Sequence, residues 1–146
     1  MMGLDAEFDA RNRAATERLR AVAARLSDAD LARAVGEHWT VGVVYAHIAF
    51  WDRRVMYVLD KTERDGAVFI PDLDIFVNDL SLPLWLAIPP REAVRIALEN
   101  AEELDERLAT YPPALLEAVY ETNPRWVERA RHRGEHLDEA EAALRG

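Results

Sequence analysis

The stretch TVGVVYAHIAFWDRRVMYVL, residues 40–59, has the apolar spacing of a long buried helix. Its large apolar residues recur every three or four positions and therefore share one face of a helix with about 3.6 residues per turn. They are Val44, Ile48, Trp51, Val55 and Val58 or Leu59. Thr40 is the predicted N-cap, and Trp39 is placed to pack against the first turn. This helix is predicted to end near residues 63–66.

Three other segments have the same helical spacing of apolar residues. The first spans residues 4–26, the third begins at Pro89 or Pro90 and ends at Tyr111, and the fourth follows Pro124 with Asn123 as its N-cap. Residues 115–120 add one short helical turn. The fold class predicted from this pattern is all-α, a four-helix bundle in a single domain over residues 1–146.

Residues 67–90 interrupt the helical pattern with four prolines but stay apolar. A connection of this length suggests a packed crossover between helices 2 and 3, with room for one short helix or a small extended segment. The short connections between helices 1 and 2 and between helices 3 and 4 favour antiparallel neighbours. The long crossover permits a parallel pair.

Composition excludes several classes of function. The net charge of −9 argues against nucleic acid or an anionic membrane surface as a partner. The absence of cysteine removes disulfides, thiolate ligands and a cysteine nucleophile. No signal peptide and no transmembrane run of apolar residues is recognisable, so we expect a soluble cytoplasmic protein.

The segment RHRGEH, residues 131–136, indicates a possible metal-binding site. His132 and His136 are four residues apart, so their imidazoles lie on the same side of a helix and could both reach one metal ion. A metal site takes at least one further ligand, and His47 on the edge of the helix 2 stripe is the candidate. Neutral imidazoles suit zinc, nickel, iron or copper, and three of them leave coordination positions open for water or substrate.

Other interpretations of these residues remain open at this point. The histidines could be ordinary structural residues that bind nothing. Residues 132–136 also match the pattern His-x-x-Glu-His of zinc proteases, although only ten residues follow His136 to supply a further ligand. Glu128 and Glu139 could serve as a fourth ligand, orient an imidazole, or pair with Arg125 or Arg131 at the surface. His38 is expected at the surface.

The chain resembles the DinB-like superfamily, which includes the N-terminal domains of mycothiol-dependent maleylpyruvate isomerases. The resemblance rests on residues 39–42 (WTVG), residues 46–51 (AHIAFW) and residues 132–137 (HRGEHL). It implies a divalent metal, commonly zinc or nickel, bound by His47, His132 and His136. It also implies a long connection between helices 2 and 3.

The resemblance further implies an activity. Members with a known activity are thiol-dependent S-transferases or isomerases that use mycothiol or bacillithiol, so a low-molecular-weight thiol and a small-molecule substrate are the expected partners. The absence of cysteine agrees with an external thiol. The alternative is a non-catalytic metal-binding or stress-response module. Homodimers are common among such proteins, and a homodimer is a further expectation.

Overall fold

A computed structural model describes residues 3–73 and 75–146. The described chain is mostly helical, which confirms the all-α prediction. Its α-helices are α1 Phe8–Arg25, α2 Asp28–Leu31, α3 Val41–Asp65, α4 Phe76–Ala87, α5 Pro90–Thr110, α6 Pro113–Thr122 and α7 Ala130–Arg145. None of the helices in the described part of the chain is both long enough and apolar enough to cross a membrane.

The long helix α3 begins and ends where the sequence predicts. The Thr40 hydroxyl accepts a hydrogen bond from the Val43 N–H at 3.1 Å, which satisfies one of the free donors of the first turn. Gly66 follows the last turn with a φ of 76°, a left-handed conformation that glycine adopts without a steric cost. Both predicted ends are therefore confirmed.

A small hairpin precedes α3, where no strand was predicted. Strands β1 (Ala34–Val35) and β2 (Trp39–Thr40) pair antiparallel, and Gly36 turns the chain between them with a φ of 68°. Two-residue strands are too short to produce an alternating pattern in the sequence. Trp39, which was predicted to pack against the first turn of α3, lies with its ring 4.8 Å from the ring of His47 and packs against the apolar cluster that contains Val41, Val43 and Val44.

The crossover contains one helix, as the sequence allowed. Residues 67–73 have no regular structure, and α4 follows with Pro83 in its interior. Val77 and Trp85 are buried, whereas Phe76, Leu80 and Leu84 are largely exposed on the other side of α4. The short turn predicted at residues 115–120 is part of the longer helix α6.

Helix α7 begins six residues later than predicted. Asn123 caps only the 3₁₀ turn Pro124–Trp126, and α7 starts at Ala130. The cause is Asn12 of α1, whose amide NH₂ donates to the Val127 carbonyl at 2.8 Å and whose Oδ1 accepts from the Arg129 and Ala130 N–H groups at 2.8 and 2.9 Å. A side chain from another helix thus provides the N-terminal cap of α7.

The four long helices contact one another in a closed ring. Helices α1 and α3 each pack against both α5 and α7. The apolar core has two clusters. One joins residues 43–49 of α3 to residues 93–101 of α5, and the other joins residues 55–59 of α3 to Leu104 and Leu108 of α5. Buried polar residues lie between the two clusters: Asn12, Thr16, Asp52, Asp105, Arg129 and Arg133.

Candidate metal centre

The structure brings together the three histidines that the sequence singled out. The Nε2 atom of His47 on α3 lies 3.2 Å from Nε2 of His132 and 3.0 Å from Nε2 of His136, both on α7. His47 is buried, and the other two are partly exposed. All three rings line one cavity of about 310 Å³. In the part of the chain that the structure describes, these three histidines form a group that could hold a metal ion.

The two short contacts of His47 have the spacing of nitrogen atoms that share a transition metal. Imidazole nitrogens bind zinc at about 2.0–2.1 Å. If the N–metal–N angle lies between the octahedral and the tetrahedral value, the two nitrogens are about 2.9–3.4 Å apart. The two contacts of His47, at 3.0 and 3.2 Å, fall within this range. His47 therefore lies at such a separation from each of the other two imidazoles, and the ligand atoms of all three histidines lie within 4.8 Å of one another.

Hydrogen bonds at the outer ring nitrogens indicate where the ring protons lie. Glu139 Oε1 is 2.8 Å from His136 Nδ1, and a carboxylate only accepts, so His136 Nδ1 carries the proton and its Nε2 presents a lone pair. Arg129 Nη2 is 3.2 Å from His132 Nδ1, and a guanidinium only donates. In this arrangement the proton of neutral His132 is therefore on Nε2.

No placement of protons on three neutral rings satisfies both short contacts of His47. If His47 Nε2 accepts from His132, it faces the lone pair of His136 at 3.0 Å without a proton between them. If it donates to His136, it faces the N–H of His132. The other ring nitrogen, His47 Nδ1, is buried without a hydrogen-bond partner. A cation among the three Nε2 atoms would bind the lone pairs of His47 and His136. His132 could join them only in its other tautomer, whose Nδ1–H can no longer accept a hydrogen bond from Arg129.

Burial keeps two of these imidazoles neutral. Burial, and next the neighbouring His136, lower the pKa of His47 to about 3. Burial, and next the cation of Arg129, also lower the pKa of His132. Metal ions bind the neutral imidazole, so these two ligands do not have to lose a proton at neutral pH.

Tryptophan rings pack around the histidine cluster. The ring centroid of His47 lies 4.8 Å from Trp39, 5.5 Å from Trp85 and 6.2 Å from Trp51. Trp39 also stacks on His136 at 6.0 Å. These walls limit the access of water and leave an apolar surface for a ligand.

A buried layer of charges fixes the helix that supplies two of the histidines. Arg133 Nε contacts Asp52 Oδ2 at 3.0 Å, and its Nη1 contacts Asp105 Oδ1 at 2.9 Å. Arg129 Nε binds the other oxygen of Asp52 at 2.9 Å. Two carboxylates and two guanidiniums balance, which makes their burial tolerable. Because Arg129 also contacts His132, this layer positions the histidine cluster.

The sequence did not predict this layer, because charged residues are usually exposed. A signal was nevertheless present, since each charged residue occupies an apolar stripe position. Asp52 lies four residues after Ile48 and three before Val55, and Arg133 lies four residues before Leu137. The signal is a charged residue on the apolar face of one helix together with an opposite charge on the apolar face of another helix.

The acidic candidates have separate roles. Glu139 orients the imidazole of His136, which was one of its predicted roles. Glu128 precedes α7 and pairs with Arg11, so it is neither a ligand nor a partner of Arg125 or Arg131. Glu135 accepts hydrogen bonds from Arg125 and Arg131 and does not line the histidine cavity, unlike the general base of a protease. His38 is exposed, as predicted.

One known protein family matches most of the chain. A family model described as the DinB superfamily matches residues 11–143. The chain belongs to the DinB superfamily. The DinB match includes all three histidines and the four long helices except the ends of α1 and α7. No curated protein and no solved structure matches the chain.

Proposed function

We propose that this DinB protein binds a divalent metal ion, zinc or nickel, through His47, His132 and His136, and uses it as a thiol-dependent S-transferase or isomerase. The observation that supports the proposal is the convergence of three Nε2 atoms, with contacts of 3.0 and 3.2 Å, at the wall of a cavity. Three protein ligands leave positions open for a small molecule.

The overall arrangement that we infer is a four-helix bundle. The ring of contacts among α1, α5, α3 and α7 supports it. The early residues of α3 and α5 share one apolar cluster and their late residues share the other, which supports a parallel α3–α5 pair joined by the crossover. In this arrangement the proposed site lies between α3 and α7.

The chemistry that a bound ion supplies is a lowered pKa of a coordinated thiol, so that a thiolate forms near neutral pH. The remaining work belongs to residues of the chain. Glu139 holds the proton on His136 Nδ1 and thereby turns its Nε2 toward the cluster. Trp39 and Trp85 cover His47 and exclude water. The chain has no cysteine, so the thiol, mycothiol or bacillithiol, is supplied as a cosubstrate.

The test is thiol consumption by the metal-loaded protein. Zinc- or nickel-loaded protein is incubated with mycothiol or bacillithiol and a small electrophile, and the free thiol is titrated over time. We expect the thiol to disappear faster than with chelator-treated protein. His132→Ala should abolish the difference, whereas His38→Ala should preserve it, because His38 lies at the exposed surface.

The outcomes separate the two expected functions. An unchanged thiol titre with metal-loaded protein would contradict the transferase and leave a non-catalytic metal-binding module. Thiol loss that is equal in the wild type and in His132→Ala would show that the histidine site does not take part in the reaction.

A further inference from the structure

The cavity beside the three histidines is lined by cations and aromatic rings. Its charged lining residues are Arg54, Arg125 and Arg129, and its aromatic walls are Trp39, Trp51 and Trp126. No carboxylate is among the described residues that line it. The whole chain has 27 acidic and 18 basic residues, so an all-cationic pocket runs against its average charge. Such a pocket attracts an anion.

Arg54 differs from the other two arginines of the cavity. Arg125 pairs with Glu135 at 3.2 Å, and Arg129 pairs with Asp52 at 2.9 Å. Within residues 3–73 and 75–146, no carboxylate forms an ion pair with Arg54, and its Nε atom is buried without a hydrogen-bond partner. A buried donor without a partner is costly, which makes the group available to an incoming acceptor.

Two tryptophans hold the Arg54 guanidinium in place. Its central carbon lies 4.9 Å from the centre of the Trp51 ring and 5.5 Å from that of Trp126. Contacts of this kind fix the plane of the guanidinium through cation–π attraction and leave its N–H groups to bind in that plane. Burial, and next the repulsion from Arg129, lower the pKa of Arg54.

Arg54 and His47 lie on the same side of α3. They are seven residues apart with Trp51 between them, and a rise of about 1.5 Å per residue separates their backbones by about 10 Å along the helix. A small molecule in the cavity can therefore extend from the histidines to the guanidinium across the face of Trp51.

We propose that Arg54 binds the oxyanion group, a carboxylate or a phosphate, of a small organic substrate whose reacting end lies at the three histidines. Arginine suits this role because its planar fork donates two parallel hydrogen bonds to a carboxylate or phosphate. The position of the reacting end rests on the proposed metal site, but the recognition of the anion by Arg54 does not.

Calorimetric titration at constant ionic strength tests this assignment. The probes are succinate and inorganic phosphate, with succinamide as the neutral counterpart of succinate. We expect saturable binding of at least one anion, no binding of succinamide, and binding at least about tenfold weaker in Arg54→Met. Which anion binds decides between the carboxylate and the phosphate.

The chain offers a matched control in the preceding residue. Arg53 lies on the same helix, is exposed and does not line this cavity, so Arg53→Met should bind the anions like the wild type. Methionine retains apolar contact with the two tryptophans, and thermal melting verifies the fold of Arg54→Met. Arg54→Lys keeps the charge but loses the planar fork, and we expect its affinity to be intermediate.

Titrating both chelator-treated and metal-loaded protein separates this assignment from the metal site. Arg54-dependent binding without metal supports the assignment even if the protein takes up no metal. Equal binding by Arg54→Met and the wild type, or no saturable binding of either anion, would overturn it while leaving metal uptake untouched. Binding that needs the metal but not Arg54 would also overturn it, because the anion then coordinates the ion directly.

Discussion

Glu139 and Glu135 lie on the same helix beside the same histidine but differ in what they contact. Glu139 accepts from His136 Nδ1 at 2.8 Å, whereas Glu135 accepts from Arg125 and Arg131. Only the first contact fixes which nitrogen of His136 presents its lone pair to a metal ion. The two glutamates therefore form a natural pair for testing the orientation of this ligand.

We predict that Glu139→Gln weakens metal affinity about tenfold. Residues that orient metal-bound histidines contribute about ten- to a hundredfold, and the low end applies because Glu139 is exposed. Competition with a chromophoric chelator measures the change. Glu135→Gln removes the same charge one turn away and should leave the affinity unchanged. Equal losses in both variants would indicate a general electrostatic effect and not orientation of His136.

Helix α7 depends on contacts that are distant in the sequence. Asn12 caps its first turn, and Arg133 joins it to Asp52 of α3 and Asp105 of α5. These contacts fix the position of α7 along its axis relative to α3, and so determine how His132 and His136 face His47. The stability of α7 and the geometry of the site are therefore linked through Arg133.

We expect Arg133→Met to destabilise the protein by about 3–5 kcal/mol, because it leaves two buried carboxylates with too few partners. Urea unfolding of the metal-free protein measures the loss. The control is Arg131→Met, whose side chain is 70 % exposed and which should change stability by less than about 0.5 kcal/mol. A loss below about 1 kcal/mol in Arg133→Met would show that the layer is not a tightly coupled network.

The elements that the sequence predicted correctly are those that local pattern determines. Apolar spacing locates α1, α3 and α5, and the cap at Thr40 and the glycine at residue 66 define α3. The start of α7 was predicted too early, because the group that caps it comes from Asn12, about 118 residues away. The hairpin before α3 was missed because two residues per strand give no periodicity.

The candidate site was accessible from the sequence for a different reason. Histidine is rare here, with four in the chain, and a pair four residues apart on one helix restricts the geometry strongly. The supporting residues were harder to find. The ion pairs of Asp52 with Arg129 and Arg133 form only when α3 and α7 pack together. From the sequence alone, these charged residues are predicted to be exposed.

In the whole molecule, a layer of buried charged residues divides the apolar core into two parts. Two apolar clusters lie above and below the layer of Asp52, Asp105, Arg129 and Arg133. The histidines lie beside this layer, and the cationic cavity opens next to them. Because His47 of the site is buried in this core, its protonation at low pH affects the stability of the whole fold.

We predict that the metal-free protein loses stability as the pH falls from about 6.5 toward 3. The folded state holds His47 neutral with a pKa of about 3, so the unfolded chain, whose histidines titrate at about 6.5, takes up the proton first. One such imidazole gives a slope of about 1.4 kcal/mol per pH unit. Urea unfolding at several pH values measures it.

His47→Gln should make this pH dependence shallower, whereas His38→Gln, which alters an exposed side chain, should not. An identical slope in the wild type and in His47→Gln would contradict a neutral, buried His47.

The number of metal ions bound per chain tests the central claim most directly. Wild-type protein and a variant with His47, His132 and His136 all changed to alanine are reconstituted with zinc or nickel, desalted and analysed by mass spectrometry for metals, with His38→Ala as control. We predict about one ion per chain in the wild type and in His38→Ala, and none in the triple variant. A wild-type protein that retains no more metal than the triple variant would contradict the account.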